Sequence, residues 1–303
     1  GLPVIVSGME DALQHVWTPQ SFIKEYGTKL VTLVDTKTDQ ISATKFSVAY
    51  FFEQFGKYEE IGRTRWKLKD WPPKIDFIDE FRSRYEVLMN ALPPGLRDWL
   101  RRDGRLNIIA FFAVNAVGPD IGPKMYNALC TMFNALCTEK DEDDQHPTTY
   151  LHEDMCCAFN IMLYSESRPD GQLGAARWDI IHPDDTDLFR RISLEEKICD
   201  GVLDPIHSQE TYLSPGAVDK LRSRGVRVCT IFQEVGELVM IPAKSPHQVT
   251  NLSDANKIAC DFLNPLRLTD TETVAHELRN HRLSLSRGED VLQLYHSLWW
   301  AWI

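Results

Sequence analysis

The chain has 303 residues, with 33 Lys plus Arg against 44 Asp plus Glu, so its formal net charge is −11. With 43% hydrophobic and 25% charged residues, it has the proportions of a soluble globular protein whose core needs no disulfide staple, and no apolar run approaches the roughly 18 residues of a membrane span. The acidic balance argues against a nucleic-acid backbone as ligand, because phosphate binding needs clustered Lys and Arg; it leaves open a Lys/Arg-rich peptide.

Nothing repeats at a fixed period. Thr18-Pro19 predicts a capped helix leading into Phe22, Ile23 and Tyr26. Phe46, Tyr50, Phe51 and Phe55, then Phe77, Phe81, Tyr85 and Leu88, recur at helical spacing, so the first half reads as largely helical with aromatic stripes in the core. Residues 139–145 (Glu-Lys-Asp-Glu-Asp-Asp-Gln) read as a solvated loop. Beyond them the texture changes. Residues 158–164 are an apolar run broken only by Asn160, and 226–232 and 237–241 are further strand candidates. Ser214-Pro215 starts a helix that Gly225 can end, and from Thr269 the pattern is helical again, finishing in Leu292, Leu294, Leu298, Trp299 and Trp302. Helices, a strand-rich centre and helices again, with short polar breaks, point to one domain. The seven cysteines, at 130, 137, 156, 157, 199, 229 and 260, include no C-x-x-C pair. That spacing suits reduced thiols in an intracellular compartment.

Two His-x-acid pairs are present, His152-Glu153-Asp154 and His182-Pro183-Asp184, where composition alone predicts roughly one. Residues two apart at a strand end can aim an imidazole and a carboxylate at one metal ion, and a distant second His would complete a facial triad with three open positions. His182 precedes Leu188, Phe189 and Ile192 and reads as a helix start with Asp as cap. His152 leads into the apolar run. Further on, 236–242 reads as a strand that ends in Ser245-Pro246-His247-Gln248-Val249-Thr250-Asn251, so that His247 heads the next strand.

At this point the chain resembles the JmjC family of Fe(II)- and 2-oxoglutarate-dependent oxygenases, and within it the branch of histone H3 lysine-9 demethylases that includes the hairless protein. The resemblance rests on Pro3-Val4-Ile5-Val6-Ser7-Gly8; Leu68-Lys69-Asp70-Trp71-Pro72-Pro73; Arg102-Asp103-Gly104-Arg105-Leu106-Asn107; Gly122-Pro123-Lys124-Met125-Tyr126-Asn127; Asp204-Pro205-Ile206-His207; and 241–262. It implies a mainly β fold with flanking helices: a double-stranded β-helix (a jelly-roll, cupin-like barrel) at 148–265, a mostly helical part at 1–147 and C-terminal helices at 266–303, all one catalytic domain.

The resemblance further implies His152, Asp154 and His247 as iron ligands, with 2-oxoglutarate and O2 as cosubstrates. Thr149 matches the family's hydroxyl donor to 2-oxoglutarate and Asn160 its amide donor; a buried Asn without partners would be costly. The cation for the 5-carboxylate is open at this level. The usual position, two before Trp178, holds Ala176; Lys257, bracketed by Ile258, Ala259 and Phe262, is favoured, with Arg168 and Arg177 as alternatives and snorkelling to solvent as the competing role for Lys257. Cys157 and Cys260 stand where the relatives carry acidic residues, and the resemblance implies that both positions lie near the substrate mouth. Asp261 and Cys260 are expected near the substrate mouth, Asp261 facing a methylammonium or serving a structural hydrogen bond; Cys156, Cys157 and Cys260 read as buried thiols rather than a second metal site.

The implied function is demethylation of a histone H3 tail, at mono- or dimethylated lysine 9, by N-methyl hydroxylation and formaldehyde release. A JmjC hydroxylase giving a stable alcohol and a catalytically silent chromatin scaffold are the competing readings. Chromatin-associated partners and a nuclear location follow from the resemblance alone, with no direct nucleic-acid binding by this domain and no membrane contact expected.

Overall fold

The computed structural model describes residues 1–14, 16–58, 65–130, 147–168, 170–199, 204–285 and 292–303. The acidic run at 139–145 lies outside them.

In chain order the strands of the N-terminal half are β1 (Val4–Val6), β2 (Leu30–Val31), β3 (Val34–Asp35), β4 (Phe46–Ser47), β5 (Trp66–Trp71) and β6 (Lys124–Ala128). The C-terminal half supplies β7 (Thr149–His152), β8 (Cys157–Ser165), β9 (Ala176–Ile181), β10 (Val228–Gln233), β11 (Leu238–Ile241), β12 (His247–Asn251) and β13 (Ala255–Phe262). They form a seven-stranded sheet in the order β1-β11-β8-β13-β6-β5-β3, a four-stranded sheet β10-β9-β12-β7, and a small pair β2-β4. Every pairing is antiparallel. Two facing antiparallel sheets flanked by helices make the expected jelly-roll with flanking helices.

The side-chain alternation of β8 explains its continuous apolar run. Ala158 and Met162 point between the sheets, where they pack with Trp178, Ile231, Val239 and Val249. Phe159, Ile161 and Leu163 point the other way, into a cluster with Phe22, Phe51, Trp71 and Phe81 from the N-terminal half. A strand covered on both faces reads as uniformly hydrophobic. The outer face of the smaller sheet is sealed by Phe189, Val218 and Leu221 against Leu151 and Ile181.

The N-terminal half is not helix alone. β1, β3, β5 and β6 belong to the large sheet, and β6 hydrogen-bonds to β13, with Tyr126 opposite Lys257. Their shortness and mixed polarity hide them from periodicity; they are strands because the edge beside β13 needs partners. The stripes also divide differently. Phe46 sits in β4 while Val48–Phe52 is helical, and Phe81 breaks the second stripe into helices Phe77–Glu80 and Arg82–Ala91.

Local helix signals behave as their chemistry dictates. Thr18 and Ser214 each accept a hydrogen bond from a backbone N–H in the first turn, and Gly225 leaves the helix Pro215–Ser223 at φ 90°, which an L side chain rarely adopts. At 182–185 the imidazole, not the aspartate, is the cap. His182 Nδ1 accepts from Asp184 N, while Asp185 holds the Arg227 guanidinium at 2.7 and 2.8 Å.

Candidate metal and cosubstrate site

β7 and β12 are neighbours, and their pairing puts His247 directly opposite His152. The rings are 4.3 Å apart between centroids. Asp154, two residues past His152, brings its carboxylate between them: Oδ1 is 3.8 Å from His152 Nε2 and Oδ2 is 3.7 Å from His247 Nε2. One ligand atom from each of the three lies within 4.8 Å of the others.

Each imidazole is oriented by its own strand. His152 Nδ1 lies 2.8 Å from the Tyr150 carbonyl and His247 Nδ1 lies 2.9 Å from that of Ser245. With Nδ1–H donating, Nε2 is left as a lone pair aimed at the shared point. Burial, with His152 alongside, pushes the His247 imidazole down to about 4, so it stays neutral. Trp178 stacks on it at 5.8 Å and is itself held by its Nε1–H donating to Gln233 Oε1. Two imidazoles and a carboxylate on one face suit a divalent ion of the Fe(II) kind, with further positions open to other ligands.

From this point two adjoining cavities, of about 200 and 130 Å³, run along the barrel. Thr149, Tyr126 and Lys257 line both, Asn160 the second and Asn251 the first. Lys257 is buried, its Nζ 2.7 Å from Asn251 Oδ1 and 5.5 Å from the Trp178 ring centre. Burial pulls its amine down to about 7. Among the described residues no carboxylate pairs with it, and the neighbouring Asn251 Nδ2 is buried without a partner. An unbalanced cation beside an orphaned amide donor is a receptor for a carboxylate.

Residues 170–262 match the family model described as "JmjC domain, hydroxylase", a stretch that includes His247 and Lys257. The chain carries a JmjC domain. Over 98% of its length it is 34% identical to "Lysine-specific demethylase 3A" of Homo sapiens and 32% identical to "Lysine-specific demethylase 3" of Drosophila melanogaster. It is 27% identical to the human "Probable JmjC domain-containing histone demethylation protein 2C". It spans 25%, 39% and 13% of those proteins, about a quarter of the length of the relatives it matches most strongly.

The other sequence-nominated residues separate. Arg168 lies in the turn after β8, outside the cavity lining, its guanidinium bonded to Gln172 Oε1. Arg177 lies on the outer face of β9, paired with Asp179 at 3.0 Å. Strand alternation gives the inner face of β9 to Ala176, Trp178 and Ile180, which turns Arg177 away from the barrel, and Arg168 is not among the residues lining either cavity. Alternation also separates the pair in β13. Asp261 lines the cavity with Lys257 and Ala259, whereas Cys260 packs with the N-terminal cluster, where burial pushes its thiol up; both residues border the outer cavity beside Asp70, Asp120 and Lys124. Cys157 accepts a hydrogen bond from Ala243 N, and no metal-type cluster among the described residues includes a cysteine.

Sequence reasoning gave no role to Asn251 or Tyr126. For Asn251 the signal existed: it is four residues past His247 on one strand, hence on the same face. For Tyr126 there was none; its place in the cleft comes from β6 lying against β13. Burial and Asp70 push the Tyr126 hydroxyl well above its usual range, and burial with Asp154 and Asp120 does the same to Asp261.

Proposed function

We propose that this JmjC domain is the catalytic domain of an Fe(II)- and 2-oxoglutarate-dependent oxygenase that removes methyl groups from histone lysine, with mono- or dimethylated lysine 9 of histone H3 as its substrate. The observation that carries the reading is the pairing, in one cavity, of the His152/Asp154/His247 ligand set with Lys257, which no carboxylate of the described residues pairs. The names of the relatives support the substrate class.

His152, Asp154 and His247 would hold the iron, which when loaded with 2-oxoglutarate and O2 supplies the oxidising power for C–H hydroxylation. Lys257 would hold the 5-carboxylate as the cation, with Asn251 Nδ2 and Thr149 as neutral donors and Asn160 further along the wall. Trp178 keeps His247 in place and fills the barrel so that water is excluded from that wall. At the mouth, Asp261, Tyr126 and Asp70 offer a carboxylate-rich, part-aromatic lining to a methylated ammonium group. The charge of −11 would draw a Lys/Arg-rich tail toward it. Once an N-methyl group carries a hydroxyl, the hemiaminal collapses to formaldehyde and amine without further help from the protein.

The test is mass analysis of methylated histone H3 peptides incubated with the iron-loaded chain, with and without 2-oxoglutarate. Loss of 14 Da per methyl group, with formaldehyde released, is the expected result. A stable gain of 16 Da would assign the chain to the hydroxylases, and failure to bind or turn over 2-oxoglutarate would make it a chromatin scaffold. A nuclear location and chromatin-associated partners belong to the same proposal.

A further inference from the structure

A second set of ligand-type side chains lies next to the triad in sequence but apart from it in space. Glu153, between the two ligands His152 and Asp154, converges with His207 and Glu277, one ligand atom from each within 4.8 Å of the others. The three come from separate elements: the end of β7, the 204–209 loop, and the long C-terminal helix Leu268–Leu285. The loop is shaped for the purpose by Asp204, whose Oδ1 accepts from Ile206 N and His207 N.

His207 Nε2 is 3.0 Å from Glu277 Oε2 and 4.0 Å from Glu153 Oε2. Adjacent ligands of a tetrahedral ion with bonds of about 2.0–2.2 Å lie about 3.3–3.5 Å apart, so these separations bracket a coordination edge. The Glu153 side chain is 1% exposed and that of His207 3%. Among the described residues neither Glu153 oxygen has a hydrogen-bond partner, and neither does His207 Nδ1. Among the described residues Glu153 makes no hydrogen bond, and its one ion-pair contact is the His207 imidazole at 4.0 Å, so its burial is poorly compensated.

Charge points the same way. Glu153, Asp204 and Glu277 surround Arg190, whose guanidinium reaches Glu277 Oε2 at 2.6 Å and Asp204 Oδ2 at 3.3 Å but does not pair with Glu153. Lys244 acts on Glu153 only through space. The Arg190 N–H also lies 3.2 Å from His207 Nε2, which cannot both accept from Arg190 and donate to Glu277. The cluster is short of positive charge on its Glu153 side.

We propose that Glu153, His207 and Glu277 form a second divalent-metal site, structural in role and of the zinc class, that ties the C-terminal helix and the 204–209 loop to the back of the strand bearing His152 and Asp154. Arg190 keeps Asp204 and Asp187 as partners when the ion takes the shared oxygen of Glu277.

Native mass spectrometry of the untagged, chelator-stripped chain titrated with Zn2+ tests it. Two ions per chain are expected, one held by the triad and one by the new site. His207→Asn or Glu277→Gln each reduces the count to one; His152→Asn with His247→Asn also leaves one, and adding Glu277→Gln to that pair leaves none. A single ion in the unmodified chain, or a second ion that survives His207→Asn and Glu277→Gln, overturns the proposal. Zinc-edge anomalous scattering from unmodified crystals needs no variant. A second peak among Glu153, His207 and Glu277 supports the site, and a water, or Arg190 alone filling the space, refutes it.

Discussion

Lys257 Nζ stands 2.7 Å from Asn251 Oδ1, with no carboxylate of the described residues paired to it. A buried ammonium without a counterion is a cost to the fold, and it persists where a ligand supplies the missing charge. Lys257→Ala should therefore raise the 2-oxoglutarate concentration needed for half-maximal turnover by on the order of a hundredfold, the loss expected for a charge-assisted contact of about 3 kcal/mol. Steady-state kinetics on 2-oxoglutarate decides; the same shift from Arg168→Ala instead would move the carboxylate site to the 168–172 turn.

The same lysine gives a pH signature in the ligand-free protein. Burial holds its amine near 7 in the folded chain, against 10.5 when exposed. Between those values the unfolded chain binds the extra proton, so stability rises with pH, by up to about 1.4 kcal/mol per unit from this group. Below about 7 both states carry the charge and the full cost is present. Lys257→Met should remove the slope and be the more stable protein at pH 7. Urea unfolding of both proteins from pH 7 to 10 measures it, and parallel curves would contradict the assignment.

His152→Ala should abolish iron-dependent turnover while leaving the circular dichroism spectrum intact, because its ring is a fifth exposed and packs no core cluster. Metal content and formaldehyde release are the readouts. Full activity in this variant would remove His152 from the ligand set.

Neighbouring residues of β13 should separate cleanly. Asp261→Asn is expected to raise the KM for methylated peptide about tenfold or more, with little effect on that for 2-oxoglutarate. Cys260→Ser should leave both unchanged and instead cost about 1–3 kcal/mol of stability, since it sets a hydroxyl in an apolar cluster.

Outside the site, Arg84 has a side chain 2% exposed, lies 2.6 Å from Glu25, bonds Ser21 and the Val16 carbonyl, and sits over the Phe22 ring. Arg84→Ala should destabilise the chain by about 1–3 kcal/mol in urea unfolding, since it removes a buried, multiply hydrogen-bonded side chain and its packing on Phe22. Glu25→Gln, at a side chain 45% exposed, should cost under about 1 kcal/mol.

What the amino-acid order determined by itself is local. The two-residue spacing of His152 and Asp154 puts both at one strand end, the apolar run 158–164 is a strand because it is buried on both faces, and Thr18 and Ser214 cap helices through their own hydroxyls. These follow from the period of the backbone and the reach of a side chain. The tertiary structure decided everything that depends on which strands meet. The β7–β12 register sets His247 against His152, and β6 beside β13 brings Tyr126 to Lys257. That Lys257 faces the cavity while Arg177 lies on the outer face of β9 and Arg168 in the turn after β8 is likewise a matter of tertiary placement, which a lone sequence leaves open. The meeting of Glu153 with His207 and Glu277 spans more than a hundred residues, and no local period records a contact made only when the C-terminal helix folds back.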